Sequence, residues 1–211
     1  MLAGFHRRDI TPRQPCFLAG YPHVGRVSDG VNDPLYASAL CLEDGGEAVI
    51  LVSLDLLLVS SPWVARCRAE IAHRTGVSAE RVMIAATHTH SGPLTVELLA
   101  WRDDPAVPPV DEAYVEFVLH ETAEAGVRAW ESRVSCRIAW TSADVRGLAG
   151  GNRGDPRGPE DPEAGLLMVR TSADAAPLAV LVVYGMHPTV LHADSRKVSS
   201  DFIAYARAAL E

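Results

Sequence analysis

The residues with the clearest chemical potential are His88 and His90, which sit in the stretch Arg81–Pro93, RVMIAATHTHSGP, where an apolar run passes straight into two histidines and a tight turn. If the backbone stays extended, the two imidazoles project to the same side with Cα atoms roughly 6–7 Å apart, close enough to converge on one ion or substrate. The plain alternative is a pair of strand-end histidines bonded to nearby backbone. A third histidine, His187, follows another apolar run in LVVYGMHPTVLHADS, and Pro188 biases its backbone toward an extended conformation. His192 lies in the loop beyond and is the weaker candidate. Arg153 is carried on a Gly-flanked backbone, from which a guanidinium can reach a carbonyl or carboxyl oxygen with paired donors. Arg157 is its local rival, and a solvated arginine is the simpler reading of both. Asp55 interrupts the apolar segment VSLDLLL, so its carboxylate needs a partner, either near the histidines or among backbone amides.

These side chains need elements that bring strand ends together. Val82–Ala85 reads as a short strand covered on both faces. Leu2–Ile10 is a strand closed by Thr11-Pro12, where proline removes a ladder donor. Leu35–Glu43 and Glu47–Leu58 form antiparallel strands joined at Asp44-Gly45-Gly46, a turn that supplies positive φ. Ser60-Ser61-Pro62 starts a helix whose Val64, Cys67 and Ile71 recur at helical spacing until Gly76. Asp111 caps a longer helix reaching about Ser132, with Val115, Val118, Leu119, Thr122, Gly126, Val127 and Trp130 on one stripe. Val134–Val145 is a further strand, and Arg146–Ala164 is a long Gly/Pro-rich loop of the kind that often carries function. Gly165–Thr171 and Leu178–Tyr184 add two more strands, and Ser199-Ser200-Asp201 caps a last helix, FIAYARAAL. The expected fold is α/β, a mixed β-sheet with helices packed on its faces and the metal site at strand C-terminal ends, where ligands commonly bind in such architectures. His23 in an early loop and His120 beside the helix stripe are expected to be surface or packing residues.

The 211 residues suit one domain spanning 1–211, and 48% hydrophobic with 22% charged residues is ordinary for a globular protein with a sizeable core. A formal charge of −8, without a Lys/Arg cluster interleaved with aromatics, argues against a nucleic-acid partner and for a small molecule. Cys16, Cys41, Cys67 and Cys136 are far apart, contain no Cys-x-x-Cys pair, and read as buried free thiols. The segment MLAGFHRRDITP lacks the apolar core of a signal peptide and looks like a first strand, so a cytoplasmic location is expected. No apolar run approaches the roughly 20 residues needed to span a bilayer.

The ordered motifs DITP (Asp9–Pro12), Gly20-Tyr21, DPLYASALCLE (Asp33–Glu43), VSLDLL (Val52–Leu57), ATHTHSGP (Ala86–Pro93), Asn152-Arg153, YGMHPTVL (Tyr184–Leu191) and SSD (Ser199–Asp201) resemble the N-terminal region of the neutral/alkaline non-lysosomal ceramidase family. THTHSGP is the most specific, and the resemblance runs over nearly the whole chain. It implies a zinc-dependent hydrolase of the ceramide amide bond, with a lipid or smaller N-acyl substrate and a place in sphingolipid metabolism. His88 and His187 would be Zn2+ ligands, His90 a hydrogen-bonding or proton-transfer group, and Arg153 a substrate contact. The family completes its zinc shell with a Glu and a Tyr downstream of the HPT motif, and places a substrate-contacting serine motif there too. The chain is therefore expected to be a piece that ends before the rest of the active site.

Three other classes fit parts of the pattern. A metallo-β-lactamase-like hydrolase also uses His-x-His at a strand end, but continues with Asp-His where this chain has Ser91-Gly92-Pro93. A barrel amidohydrolase would need eight βα units, too many for this length. A non-catalytic binding or scaffold module would retain the fold without turnover.

Overall fold

A computed structural model describes residues 1–211. Its elements are β1 (Leu2–Asp9), β2 (Gly30–Val31), β3 (Tyr36–Asp44), β4 (Glu47–Leu54), α1 (Ser61–Thr75), β5 (Val82–Ala86), α2 (Glu112–Glu131), β6 (Val134–Asp144), β7 (Glu163–Thr171), β8 (Pro177–Tyr184), β9 (Lys197–Val198) and α3 (Phe202–Leu210). Seven strands make one mixed sheet in the order β5-β4-β3-β1-β6-β7-β8, and β2 pairs with β9 in a small parallel ribbon. This is the mixed α/β fold expected from the sequence.

The local signals behave as their chemistry dictates. Gly45 and Gly46, both at positive φ, make the two-residue turn between β3 and β4, whose register runs from Ala37 opposite Leu54 to Asp44 opposite Glu47. Ser60 caps α1 by accepting from Trp63 N–H, and Gly76 ends it in the left-handed conformation. Asp111 caps α2 through Ala113 and Tyr114 N–H.

The two faces of the sheet are filled differently. On one, alternate residues Ala37, Ala39 and Cys41 of β3 and Ile50, Val52 and Leu54 of β4 meet α1 and α2 in a cluster of 23 buried residues. Gly4 lets α2 approach this closely, because a Cβ there would lie 2.1 Å from the Ala129 carbonyl oxygen. On the other face, Ala3 and Leu40 meet Cys136 and Val169, with Leu178 and Leu181 of β8 packed alongside.

The strand directions correct the sequence reading. The histidine-bearing strands β5 and β8 are the two opposite edges of the sheet. One parallel and five antiparallel pairings separate them, so in a flat sheet their C-terminal ends would point in opposite directions. The break comes between β1 and β6, which pair through only Leu2–Ser135 and Ala3–Val134. Beyond that short join the β6-β7-β8 ribbon turns over the second face, and β8 comes against β1. β5 is also not covered on both faces: it is an edge strand with Met83 and Ala85 exposed.

Candidate metal centre

The HTHSGP segment leaves β5 by bonding to the chain after β4. Thr87 N–H donates to Leu54 O and His88 N–H to Leu56 O, so the segment follows its parallel neighbour for two residues past the strand. His88 then adopts φ 69°, a left-handed conformation that is costly for a side chain with a Cβ. The expected extended His-x-His is therefore absent. The turn, not strand alternation, swings the two rings to 5.1 Å between centroids. Residues in such conformations cluster where geometry serves a site.

His187 arrives from the other direction on the loop after β8. Its ring centroid lies 4.6 Å from that of His90 and 5.1 Å from that of His88. One ligand atom from each of the three imidazoles lies within 4.8 Å of the others. His187 Nε2 and His90 Nε2 are 2.8 Å apart, and His90 N–H donates to Pro188 O at 3.4 Å, so the two segments also meet through backbone.

The partners settle where the ring protons sit. Leu57 O can only accept, so His88 Nδ1 donates to it at 2.9 Å and leaves the Nε2 lone pair free. A guanidinium can only donate. Arg153 Nη2, 3.3 Å from His187 Nδ1, therefore makes that nitrogen the acceptor and puts the His187 proton on Nε2, facing His90. Arg153 Nη1 also donates to Thr189 Oγ1 at 3.2 Å. Burial, with His187, His88 and Arg26 adding to it, pushes the pKa of His90 down to about 4. Burial followed by the charges of His88 and Arg153 lowers that of His187. Both are neutral imidazoles at neutral pH, the state in which histidine ligates a metal.

Three imidazoles on one point, one of them oriented by a backbone carbonyl, fit a divalent metal ion. His90 Nδ1 is buried without a side-chain partner, so that side of the ring is held by the backbone pressed against it, while its Nε2 meets His187. Gly20 explains how: at φ +113°, it presses so closely that a Cβ would lie 2.5 Å from His90 Nδ1.

The four principal candidates, His88, His90, Arg153 and His187, are thus together. Others go elsewhere. Asp55 is buried away from the histidines, accepting from Tyr36 N–H at 2.9 Å and from Arg207 Nη2 at 2.8 and 3.1 Å. Its burial raises its pKa against the pull of that guanidinium. His192 is exposed outside the cluster, and Arg157 is an exposed loop residue. His23 pairs with Asp104 at the surface, and the side chain of His120 is largely exposed.

Sequence reasoning named Asp201 only as part of a helix cap and left the roles of three supports unread. Asp201, at φ 62° and 1% exposed, accepts from Val190, Leu191 and Phe202 N–H, and so fixes the loop after His187 while occupying the start of α3. Asp33 accepts from the Ser199 hydroxyl and from Ser200 N–H at 2.7 Å, anchoring the stretch before Asp201. Arg26 gathers backbone carbonyls around His90. Asp201 stands in the SSD motif and Asp33 in DPLYASALCLE, whereas Arg26 left no trace in spacing because its partners are carbonyls.

Comparison with known proteins gives the chain a family and a fold. The family described as neutral/alkaline non-lysosomal ceramidase, N-terminal, matches residues 1–211. No curated protein matches the chain. Among solved structures, neutral ceramidase from Pseudomonas aeruginosa superposes with a TM-score of 0.86 at 22% identity, over 97% of this chain and 35% of that one. A ceramidase complexed with C2 superposes with a TM-score of 0.84 at 21% identity, over 97% of this chain and 34% of that one. The chain spans about a third of the length of these structures, and its fold is theirs. From its first residue to its last, the chain belongs to the neutral/alkaline non-lysosomal ceramidase family, whose N-terminal region it matches.

Proposed function

We propose that this chain forms part of a zinc-dependent hydrolase of the neutral ceramidase type, cleaving the N-acyl amide of ceramide or a smaller N-acyl or ester substrate. The observation that carries the reading is the convergence of three imidazoles within 4.8 Å, in a chain that belongs to this family. His88 and His187 would hold the cation, and the bond from His88 Nδ1 to Leu57 O orients the first of these rings for it. Zinc, when bound, lowers the pKa of a coordinated water to about 7 and polarises an acyl carbonyl.

The remaining roles fall to the chain's own groups. His90 is neutral and its Nε2 faces the site, so it is placed to take a proton at that atom and return it to the leaving amine. Arg153 sits on a Gly-rich loop with both guanidinium nitrogens turned to the His187 side of the cluster, where its fork can orient the substrate carbonyl or hydroxyl. The loop is stiffened locally by Asn152, whose side chain accepts from Gly154 and Asp155 N–H and donates to Pro159 O. The substrate is a small molecule or lipid, and no helix is long and apolar enough to cross a membrane.

The test is zinc content together with hydrolysis of short- and long-chain N-acyl amides and a matched ester, for this chain and for His88→Ala. Zinc that is retained by the parent and lost in the variant supports the centre, and amide cleavage that falls with it supports the reaction. A parent that holds zinc but cleaves none of these substrates is what part of the hydrolase gives by itself, and the same assay on a chain extended to the length of the solved ceramidases separates that from a non-catalytic binding module. Zinc unaffected by His88→Ala removes the proposed centre.

A further inference from the structure

Arg26 is 2% exposed, yet no carboxylate pairs with it. Its Nη2 donates to His90 O at 2.5 Å, Ala19 O at 3.1 Å and Leu18 O at 3.4 Å, and its Nη1 donates to Ser195 O at 3.0 Å. Its guanidinium lies 4.6 Å from the centroid of the Tyr21 ring. Tyr21 packs edge-on against His90, with 5.2 Å between centroids, and its hydroxyl donates to Leu191 O at 2.9 Å.

A buried cation without a counter-charge is expensive, and an apolar residue of similar volume is often the more stable choice. Stability is therefore a poor reason for an arginine here. What the guanidinium does is join chain segments. Leu18 and Ala19 belong to the stretch whose next residue, Gly20, presses on the His90 ring. The His90 carbonyl belongs to the segment after β5, and Ser195 to the loop that follows His187. Tyr21 adds a second link from the same loop to Leu191. One fork thus collects the three segments that must register for His90 and His187 to meet.

We propose that Arg26, with Tyr21 stacked on it, is a positioning residue that locks the two histidine-bearing segments into one site. The inference builds on the metal centre proposed above. Lysine does not substitute for Arg26, because an ammonium is a compact point charge that cannot span carbonyls set along a planar fork. Arg26→Lys preserves the charge and removes the bridge. Tyr21→Phe preserves the ring and removes only the bond to Leu191 O.

The experiment has two readouts on this chain. The first is zinc affinity by chelator competition, with His88→Ala as the reference for loss of the site. The second is the nuclear Overhauser contact between the His90 and His187 rings in the metal-free protein, which needs no metal. Arg26→Lys is expected to weaken zinc binding about tenfold or more, the range typical of lost outer support, and to erase the ring contact while far-UV circular dichroism stays unchanged. Tyr21→Phe is expected to weaken zinc binding about two- to fivefold and reduce the ring contact. If Arg26→Lys does not fold, Tyr21→Phe decides. Folded variants that keep parental zinc affinity and the full ring contact overturn the assignment. A parent that takes up no zinc at His88 refutes the metal centre and leaves the ring contact to decide the role of Arg26.

Discussion

The half of the molecule built from β1, β3, β4 and β5 under α1 and α2 differs sharply from the β6-β7-β8 ribbon. The first contributes most of a 23-residue buried cluster, whereas the second shares a cluster of four and leaves Trp140, Val182 and Val183 more than 40% exposed. Each delivers part of one site. The helix-covered half supplies His88 and the buried His90, and the ribbon supplies the exposed His187, with Arg153 on its β6–β7 loop. The ribbon has little packing of its own to hold that position. Its histidine is instead placed by discrete polar links in the backbone around it: Pro188 O on His90 N–H, and Asp201 on the next two free amides. Packing fixes one side of the site, and hydrogen bonds fix the other.

The largest effect that tests this contrast is in the core. Ile50 is fully buried on the helix side, so Ile50→Ala should cost about 2–5 kcal/mol through lost burial and the cavity it leaves. Trp140, 58% exposed with its ring lying over Gly165, should cost less than about 1 kcal/mol when replaced by alanine. Denaturant melts of both variants decide it. Equal losses would mean that the ribbon is as firmly cored as the rest.

A smaller loss is expected at Gly20, on the packed side of the site. Alanine there meets both an unfavourable φ and the His90 ring 2.5 Å from its Cβ, so Gly20→Ala should destabilise by about 1–3 kcal/mol. It should also weaken zinc binding about tenfold or more, since the ring must shift. A variant with parental zinc affinity would show that His90 is not held by this contact.

Smaller again is the pH dependence of His90. Its pKa in the folded chain, about 4, lies below the ordinary value of 6.5, so the folded state binds fewer protons than the unfolded state between those values. The penalty is absent above about pH 6.5 and grows as pH falls toward 4, because unfolding then takes up a proton. The metal-free parent should therefore lose stability across that window faster than His90→Gln does. Parallel stability profiles would count against a neutral, buried His90.

Much of this was legible in the sequence. The caps at Ser60, Asp111 and Gly76, and the Gly45-Gly46 turn, are local chemistry and formed where their residues stood. His88, His90, His187 and Arg153 were legible from their motifs. Three things were not. Strand direction is set by pairing across the whole sheet, so nothing near β5 or β8 reveals that they are opposed edges. The left-handed turn at His88 is imposed by its bonds to Leu56 and Leu57 carbonyls, which carry no residue signature. Asp55 presented the same apolar surroundings whether its partner was a site histidine or, as found, Arg207 on α3.

The smallest stability effect, and the sharpest test of the two-sided site, belongs to Arg153. Its side chain is exposed, and its contacts are Thr189 and the His187 ring rather than any packed surface. Arg153→Ala should therefore change stability by no more than about 0.5 kcal/mol. Its effect on zinc follows from the ring protons. In the metal-free chain Arg153 holds the lone pair of His187 on Nδ1. Were His187 to hold a cation through Nε2, its proton would sit on Nδ1, and Arg153, which only donates, would lose that acceptor. Removing the arginine takes away a bond that exists only without metal, so zinc affinity should hold or rise by a few-fold, whereas affinity falls at Gly20→Ala. Hydrolysis of an N-acyl substrate, where the parent supports it, should drop by about tenfold or more through loss of the orienting fork. Chelator competition, a thermal melt and a rate on the same preparation separate these outcomes. A substantial loss of zinc affinity or of stability would make Arg153 a brace for the ribbon, and would leave the helix-covered half as the sole source of chemistry.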